Sequence, residues 1–233
     1  LTIANHILGF GQLSLAKFLF ITDKEDNPGL TTHMIPEYFA HVLERVDWTR
    51  DIHFHTKTSI DTLDYSGDGL NTGSKVVIAA AGPKKRELGK ELPEIHAIPE
   101  YPKIQIAQPG VLAIEGPKWQ NQEQATKERK LLAERLASAD LRAFPLIVLC
   151  DDADFVAQTF NNFLWVTFTR TNPSHDMDGV QAFHENKHWG CRGSLIIEAH
   201  IKTHHAPPVE KDPEIEKRVD LLGASGGSLH GII

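Results

Sequence analysis

Cysteine is scarce in this 233-residue chain: Cys150 and Cys191 are the only two. Two thiols cannot build a dense disulfide framework, so a reducing compartment is the default expectation. No apolar run approaches 18 residues, and no basic-then-apolar leader ending in a cleavage site opens the chain. The expectation is therefore a cytoplasmic protein with no transmembrane segment. Positive charge is also short, with 24 Lys+Arg against 31 Asp+Glu and a formal charge of -7. That balance, without basic–aromatic interleaving, argues against a nucleic-acid-coating protein. The glycines of Gly67-Asp68-Gly69 and Gly73-Ser74-Lys75 lack the spacing and strand–turn–helix context of a P-loop or dinucleotide fingerprint. There is no Gly-x-Ser-x-Gly elbow, and Ser225 and Ser228 in the glycine-rich tail have no base assigned to them.

What is present indicates a folded α/β protein. Hydrophobic residues make up 41% and charged residues 24%, enough for a sizeable core and incompatible with wholesale disorder. Leu1 to Gly11 reads as a helix tail stopped by Gly9 and Gly11. Buried-strand patterns occur at Ala16–Thr22, Val76–Ala81 and Pro145–Cys150, with shorter candidates at Ile52–Thr56, Lys103–Ile106, Val111–Ile114 and Ser194–Ala199. Helical spacing marks Ile35–Val46, Asn121–Ala139 and Asp212–Leu222, and Phe160–Phe168 is apolar-rich. Strands alternating with helices at these lengths indicate α/β architecture.

The halves also repeat one another. Phe20 to Asp26 matches Val148 to Asp154, Arg45 to Asp51 parallels Arg170 to Asp176, and Gly73-Ser74-Lys75 parallels Gly193-Ser194-Leu195, at offsets of 128, 125 and 120 residues. The expected organisation is two related α/β subdomains, residues 1–97 as an N-terminally truncated first copy and 98–233 as a second copy with a glycine-rich tail. The segment from Lys103 to Glu115 has no partner in the first copy, and the chain begins at Leu1 without an initiator methionine, so it is expected to be a cut piece of a longer protein.

The ordered landmarks carry a resemblance. An apolar strand ending in an acidic run, a helix, then Arg-x-x-Pro-x-x-Asp, and later Gly-Ser-Lys before a small-residue strand end, resembles the C-terminal domain of UbiD-family decarboxylases. The second copy carries the first part better, in Cys150-Asp151-Asp152-Ala153-Asp154, Phe163-Leu164-Trp165 and Arg170 to Asp176. The first copy carries the later part better, in Ile60-Asp61, Leu63-Asp64 and Gly73-Ser74-Lys75. Pro207-Pro208-Val209, Lys211-Asp212-Pro213 and Val219-Asp220 resemble the closing segment. The arrangement looks most like a longer subset tied to quinone biosynthesis.

The resemblance implies a parent that removes CO2 from an aromatic or α,β-unsaturated carboxylic acid with prenylated FMN and a divalent metal. Those groups belong mostly to a preceding split-barrel domain, whose motifs are absent here. This chain is then expected to hold no cofactor and no metal and to be inactive alone. It would cap the active site and support assembly into a homo-oligomer, with the missing N-terminal and split-barrel domains as partners. The sequence departs from the pattern at Leu195, where the first copy has Lys75, and at Trp48, where the second has Pro173. A binding or structural module with the same fold and no decarboxylase chemistry is the alternative.

Individual residues carry readings of their own. Arg45 with Asp51 and Arg170 with Asp176 recur at one spacing and suggest structural ion pairs, with capture of a substrate carboxylate as the sharper alternative. Lys75, by resemblance, and Trp189, as an aromatic in a polar glycine-flanked stretch, are candidates for a partly exposed face at the cleft or interface. Asp151, Asp152 and Asp154, like Asp23, Glu25 and Asp26, could collect a hard cation or simply cap loops. His184 and His188 would share a helix face and with Cys191 could ligate zinc, with His200, His204 and His205 close behind in sequence; packing or an interface is the alternative. A metal hydrolase built there fits poorly, because no base for an activated water is evident. His53 and His55 point to one side of a strand, as a solvated face or a dyad.

Overall fold

The computed structural model describes residues 1–95, 99–207 and 212–232. The expected boundary at 97/98 and the resemblance at Pro208, Val209 and Lys211 lie outside the described residues. The chain opens with α1 (Thr2–Leu8), stopped at Gly9, and a 3-10 turn at Gly11–Leu15. β1 (Phe18–Thr22), α2 (Ile35–Arg45), β2 (Ile52–Thr58) and β3 (Gly73–Ala80) follow. In α2, Pro36 occupies the first turn, where its missing N–H costs nothing, and Phe39, Val42 and Leu43 bury one stripe.

β4 (Lys103–Gln108) and β5 (Val111–Glu115) form a hairpin, and α3 (Gln122–Leu136) comes next. The side chain of Asn121 caps α3 by accepting the Gln124 amide at 2.9 Å. The chain continues through β6 (Leu146–Cys150), α4 (Ala153–Gln158), α5 (Phe160–Thr169), α6 (Pro173–Asp176) and β7 (Met177–Gly179). It ends with β8 (Ala182–Glu185), β9 (His188–Cys191), β10 (Leu195–Glu198) and α7 (Pro213–Gly223).

One sheet has the order β1-β3-β2, with β1 parallel and β2 antiparallel to β3. The larger sheet has the order β4-β5-β6-β10-β7, in which β6 is parallel and β7 antiparallel to β10. The three-strand pattern β1-β3-β2 therefore recurs as β6-β10-β7, with β4 and β5 added at the far side of β6. Asp23 follows the end of β1 as Asp151 follows the end of β6. Register refines the sequence match. Val76 pairs with Phe18 and Phe54, as Leu195 pairs with Leu146 and Gly179. Val76 is thus the counterpart of Leu195, which places Lys75 opposite Ser194, one residue from the alignment that the two Gly-Ser pairs suggest.

One hydrophobic core runs through both sheets. Alternate residues of the larger sheet, among them Val111, Leu146, Val148 and Ile197, face Val42, Leu43, Ile52, Val76 and Ile78 of the first unit. The intervening residues Leu112, Ile114, Ile147, Leu149 and Ile196 face the other way, onto Leu132 and Leu136 of α3. An aromatic cluster fastens the join: Phe168 of α5 meets Phe18 at 4.8 Å and Phe20 at 5.7 Å, and Phe163 meets Phe39 at 5.3 Å. Trp48 is buried there, its Nε1 donating to the Pro145 carbonyl at 2.8 Å.

The histidine-rich stretch departs from expectation. His184 and His188 do not share a helix face; β8 and β9 form an antiparallel hairpin in which His184 pairs with Trp189. Asn186 and Lys187 make its turn at φ 51° and 65°, the mirror-image turn that suits the twist of paired strands. Gly190 lets β9 lie against the first unit, because a Cβ there would come within 2.8 Å of the Trp48 carbonyl oxygen. No helix among the described residues is long and apolar enough to cross a membrane.

Burial separates two neighbouring aromatic residues of α5. Phe163 is 0% exposed and Trp165 is 49% exposed. Phe163→Ala is expected to destabilise the chain by about 3–5 kcal/mol, and Trp165→Ala by less than about 1 kcal/mol, in urea unfolding. Equal losses would show that the ring cluster does not carry the join between the sheets.

Candidate functional site

The turn after α2 and the turn after α5 are built alike, and this corrects the expected ion pairs. Asp51 is buried and its Oδ2 accepts the amide of Asp47 at 2.9 Å; Asp176 is buried and its Oδ2 accepts the amide of Asn172 at 2.7 Å. Each carboxylate closes its own five-residue turn, so neither faces the arginine six residues earlier. Arg45 instead donates to the carbonyls of Gly82 and His41 and pairs with Glu44 at 3.0 Å. Arg170 pairs with Asp151 at 3.1 Å and lies over the Trp165 ring at 5.0 Å.

Lys75 is likewise corrected. It is 3% exposed rather than cleft-facing, because β3 is the central strand of its sheet, and its Nζ donates to the Ser14 carbonyl. Burial holds its ammonium below the usual lysine range. Trp189 is half-buried, with its ring edge-on to Phe54 at 5.4 Å, beside a cleft of about 530 Å³ that Lys75 does not line.

The acidic clusters resolve into caps and pairs. Asp151 accepts the Ile201 amide at 2.8 Å, Asp152 caps α4 through the Phe155 amide at 2.9 Å, and Asp154 pairs with Lys103. Asp23 and Asp26 accept the amides of Glu25 and Gly82. Cys150 and Cys191 are buried, and desolvation pushes both thiols up to about 12. His53 and His188 lie 5.6 Å apart between ring centres, and His188 Nε2 is 3.0 Å from the Thr49 carbonyl. Among the described residues no three His, Cys, Asp or Glu side chains are placed to share a metal ion.

The densest chemistry lies where the two units meet. Past the end of β10, Lys202 is buried, with its Nζ 3.0 Å from Asp176 and 3.9 Å from Glu198, and it donates to the Arg170 carbonyl at 3.0 Å. Glu198 is also paired with the buried Arg129, and His200 stands 3.5 Å from it. Burial opposes ionisation of Glu198, but the hydrogen bond from His200 and the charges of Lys202 and Arg129 outweigh it and hold the carboxyl below its usual range. From the first unit Ser74 donates to Asn172 and accepts the Ser174 amide at 2.9 Å, and Asp68 accepts from Asn172 at 3.1 Å.

Two clefts open on this seam, separated by the loop carrying Asp64 and Tyr65. One, of about 590 Å³, has Ser66, Asp68, Trp119, His175, Asp176 and Lys202 in its wall. The other, of about 600 Å³, is lined by rings and hydrocarbon together with Lys17, Arg170 and His205. Lys17 pairs with Asp64 at 2.8 Å and donates to Ser66 at 2.6 Å, and desolvation draws its ammonium below the usual range. Nothing in the sequence groups Lys17, Asp64, Lys202 and Trp165, because they are brought together only by the packing of the two sheets. Asp64 and Trp165 were marked, but only as separate parts of the resemblance.

Residues 1–80 match the family model of the 3-octaprenyl-4-hydroxybenzoate carboxy-lyase C-terminal domain. That stretch is similar to the UbiD C-terminal domain. The remainder is also related to longer proteins. The chain is 32% identical over 221 residues to a 4-hydroxybenzoate decarboxylase subunit of Chlamydia pneumoniae, covering 94% of this chain and 35% of that protein. It is 31% identical over 222 residues to an uncharacterized protein of Chlamydia trachomatis serovar D, covering 95% of this chain and 35% of that one. The chain thus spans about a third of the length of the curated relatives it matches. Among solved structures it aligns with vanillic acid decarboxylase of Sedimentibacter hydroxybenzoicus in open form, at 12% identity and TM-score 0.33, over 71% of this chain and 44% of that one. A likeness that distant carries no argument.

The seam sets two measurable quantities. Removing the Lys202 ammonium strands Asp176 and Glu198 in a buried site, so Lys202→Met is expected to cost about 3–5 kcal/mol in urea unfolding. A loss under about 1 kcal/mol would show the ammonium to be dispensable. His205 titrates at about 3 instead of 6.5, first because it is desolvated and then because Lys202, His204, Arg170 and Lys17 repel its charged form. Between those two values the unfolded chain binds the proton and the folded chain does not, so stability falls as pH falls from 6.5 towards 3. His205→Phe is expected to flatten the melting temperature against pH across that window, and an unchanged slope would assign the acid loss to other groups.

Proposed function

We propose that this chain is the C-terminal part, outside the catalytic core, of a UbiD-like decarboxylase acting on an aromatic or α,β-unsaturated carboxylic acid. On this reading it comprises two copies of one α/β unit that cap the active site and support assembly, in a parent serving quinone biosynthesis in the cytoplasm. The observation that carries the reading is the alignment of 94% of the chain with about a third of a 4-hydroxybenzoate decarboxylase subunit. That relative's being named a subunit supports a partner polypeptide here too. The recurrence of the β1-β3-β2 order as β6-β10-β7 supports the two-copy reading.

The chain's own chemistry supports a role outside the core. The described residues offer no converging ligand set for a divalent metal, and Lys75 and the two arginines are engaged by the chain itself. They do not fit a prenylated FMN phosphate held through a metal ion. On this reading the cofactor and the reaction belong to the remaining two thirds of the parent. Assembly is supported by α7, an eleven-residue helix with no buried residue that leaves Ile215 55% and Leu221 71% exposed.

The test is a pair of measurements. Deleting this region from the full-length parent is expected to lower decarboxylation of 4-hydroxybenzoate by at least about a hundredfold in kcat/KM, about 2.7 kcal/mol of transition-state stabilisation. The isolated chain is expected to bind prenylated FMN more weakly than about micromolar in calorimetry. Unaltered turnover after the deletion favours the alternative of a binding module without decarboxylase chemistry. Micromolar or tighter flavin binding defeats the assignment of the cofactor to the rest of the parent.

A further inference from the structure

A histidine cluster stands apart from the seam clefts, in the cleft of about 530 Å³ between β2 and the β8–β9 hairpin. Four imidazoles line it, His53 and His55 from the first unit and His184 and His188 from the second. The His53 and His188 rings lie 5.6 Å apart between centres and are tilted by 51°. His188 Nε2 is 3.0 Å from the Thr49 carbonyl, which can only accept, so the proton sits on Nε2 and the Nδ1 lone pair is left free. A carbonyl on the outer nitrogen is the arrangement that orients an imidazole for a metal ion. Neither nitrogen of His53 has a hydrogen-bond partner among the described residues. Burial first, and then the charges of His188, the Leu1 amine and His55, hold the His53 imidazole below its usual range against the pull of Asp51. Its lone pair is therefore available at neutral pH.

The rest of the wall selects the kind of ion. No carboxylate lines the cleft, and Lys187 adds a positive charge to it. A hard cation finds no anionic oxygen there, and a dication would enter with its charge uncompensated. Met177, 8% exposed, brings a thioether to the same wall. Imidazole and thioether together suit copper(I), a soft monocation that needs no anionic ligand. An imidazole nitrogen holds a metal at about 2.0 Å, which puts each ring centre about 3.2 Å from the ion. Ring centres 5.6 Å apart then subtend about 120° at it, the angle of a three-coordinate site.

We propose that this cleft binds one copper(I) ion, ligated by His53 and His188 with the Met177 thioether as the third ligand. Neither unit makes the site alone, since β2 supplies His53 and the second unit supplies His188 and Met177. The bound ion fastens the β8–β9 hairpin to β2. Cys150 and Cys191 are buried and line no part of the cleft. The inference stands on this geometry and does not depend on the decarboxylase reading.

The test titrates the 233-residue chain with copper(I), under anaerobic ascorbate, against the chromogenic chelator bicinchoninate. One equivalent is expected to be retained, and X-ray absorption is expected to show two nitrogen neighbours at about 2.0 Å and one sulfur at about 2.3 Å. Zinc(II) is expected to bind at least about tenfold more weakly, because the wall offers it no negative charge. His53→Gln and His188→Gln are each expected to raise the copper Kd at least about tenfold while the far-ultraviolet circular dichroism spectrum is unchanged. Met177→Leu, which conserves the buried volume, is expected to raise it at least about threefold and to remove the sulfur signal. His184→Gln, on the exposed strand of the same hairpin, is expected to leave the Kd within about twofold. The proposal is overturned if the chelator strips all the copper, if zinc binds as tightly, if the folded variants at 53 and 188 both retain copper unchanged, or if the sulfur signal persists in Met177→Leu.

Discussion

Phe168 is the residue on which the arrangement of the two sheets turns. It projects from α5 in the second unit and meets Phe18 and Phe20 of β1 in the first, with Phe39 at 6.2 Å behind them. Ring contacts of this kind are directional as well as hydrophobic, so they fix the angle at which the units meet and not only their proximity. With that angle set, the N-terminal end of β1 comes beside the loop after β10, and Lys17, Asp64, Arg170, Lys202 and His205 gather around two clefts. The polar cluster is thus downstream of an apolar one.

The polar cluster in turn restricts what the join can do. Lys202, Glu198, Asp176 and Arg129 are all nearly sealed from solvent, and charges so placed are tolerated only in one geometry. A hydrophobic seam alone could slide by a fraction of a turn without losing much area. A seam that also has to keep an ammonium 3.0 Å from Asp176 and within hydrogen-bonding reach of the Arg170 carbonyl cannot.

Much of the architecture was legible in the sequence where local pattern and burial agree. Leu146 to Cys150 reads as a continuous apolar strand because β6 lies inside its sheet and is covered on both faces. Asn121 announces α3 because its side chain caps the first turn whatever the helix later packs against. Where two structures satisfy one pattern, the sequence misled. His184 and His188 stand four apart, which suits a helix face, yet the Asn186-Lys187 turn folds them onto a hairpin without a glycine to signal it. Arg45 and Asp51 recur with Arg170 and Asp176 because the acidic residue closes a turn on its own backbone, a partner that side-chain reasoning overlooks. Lys75 was expected at a partly exposed face by resemblance, and its burial follows from strand order, which only the assembled sheet defines. The seam clefts were invisible for the same reason: Asp176 and Lys202 are 26 residues apart, and Lys17 is farther still from both.

The two buried thiols have a consequence of their own. With ionisation deferred to about pH 12 and no path to solvent, Cys150 and Cys191 are nearly inert to alkylating reagents while the chain is closed. Cys150 ends the central strand β6, and Cys191 ends the hairpin strand that lies against Trp48. Each is therefore a silent clock for its own region. The rate at which a thiol reagent marks Cys191 counts the hairpin lifting from the first unit, and the rate at Cys150 counts the parting of the main sheet. The protein carries, without any added label, separate meters for the opening of two of its regions.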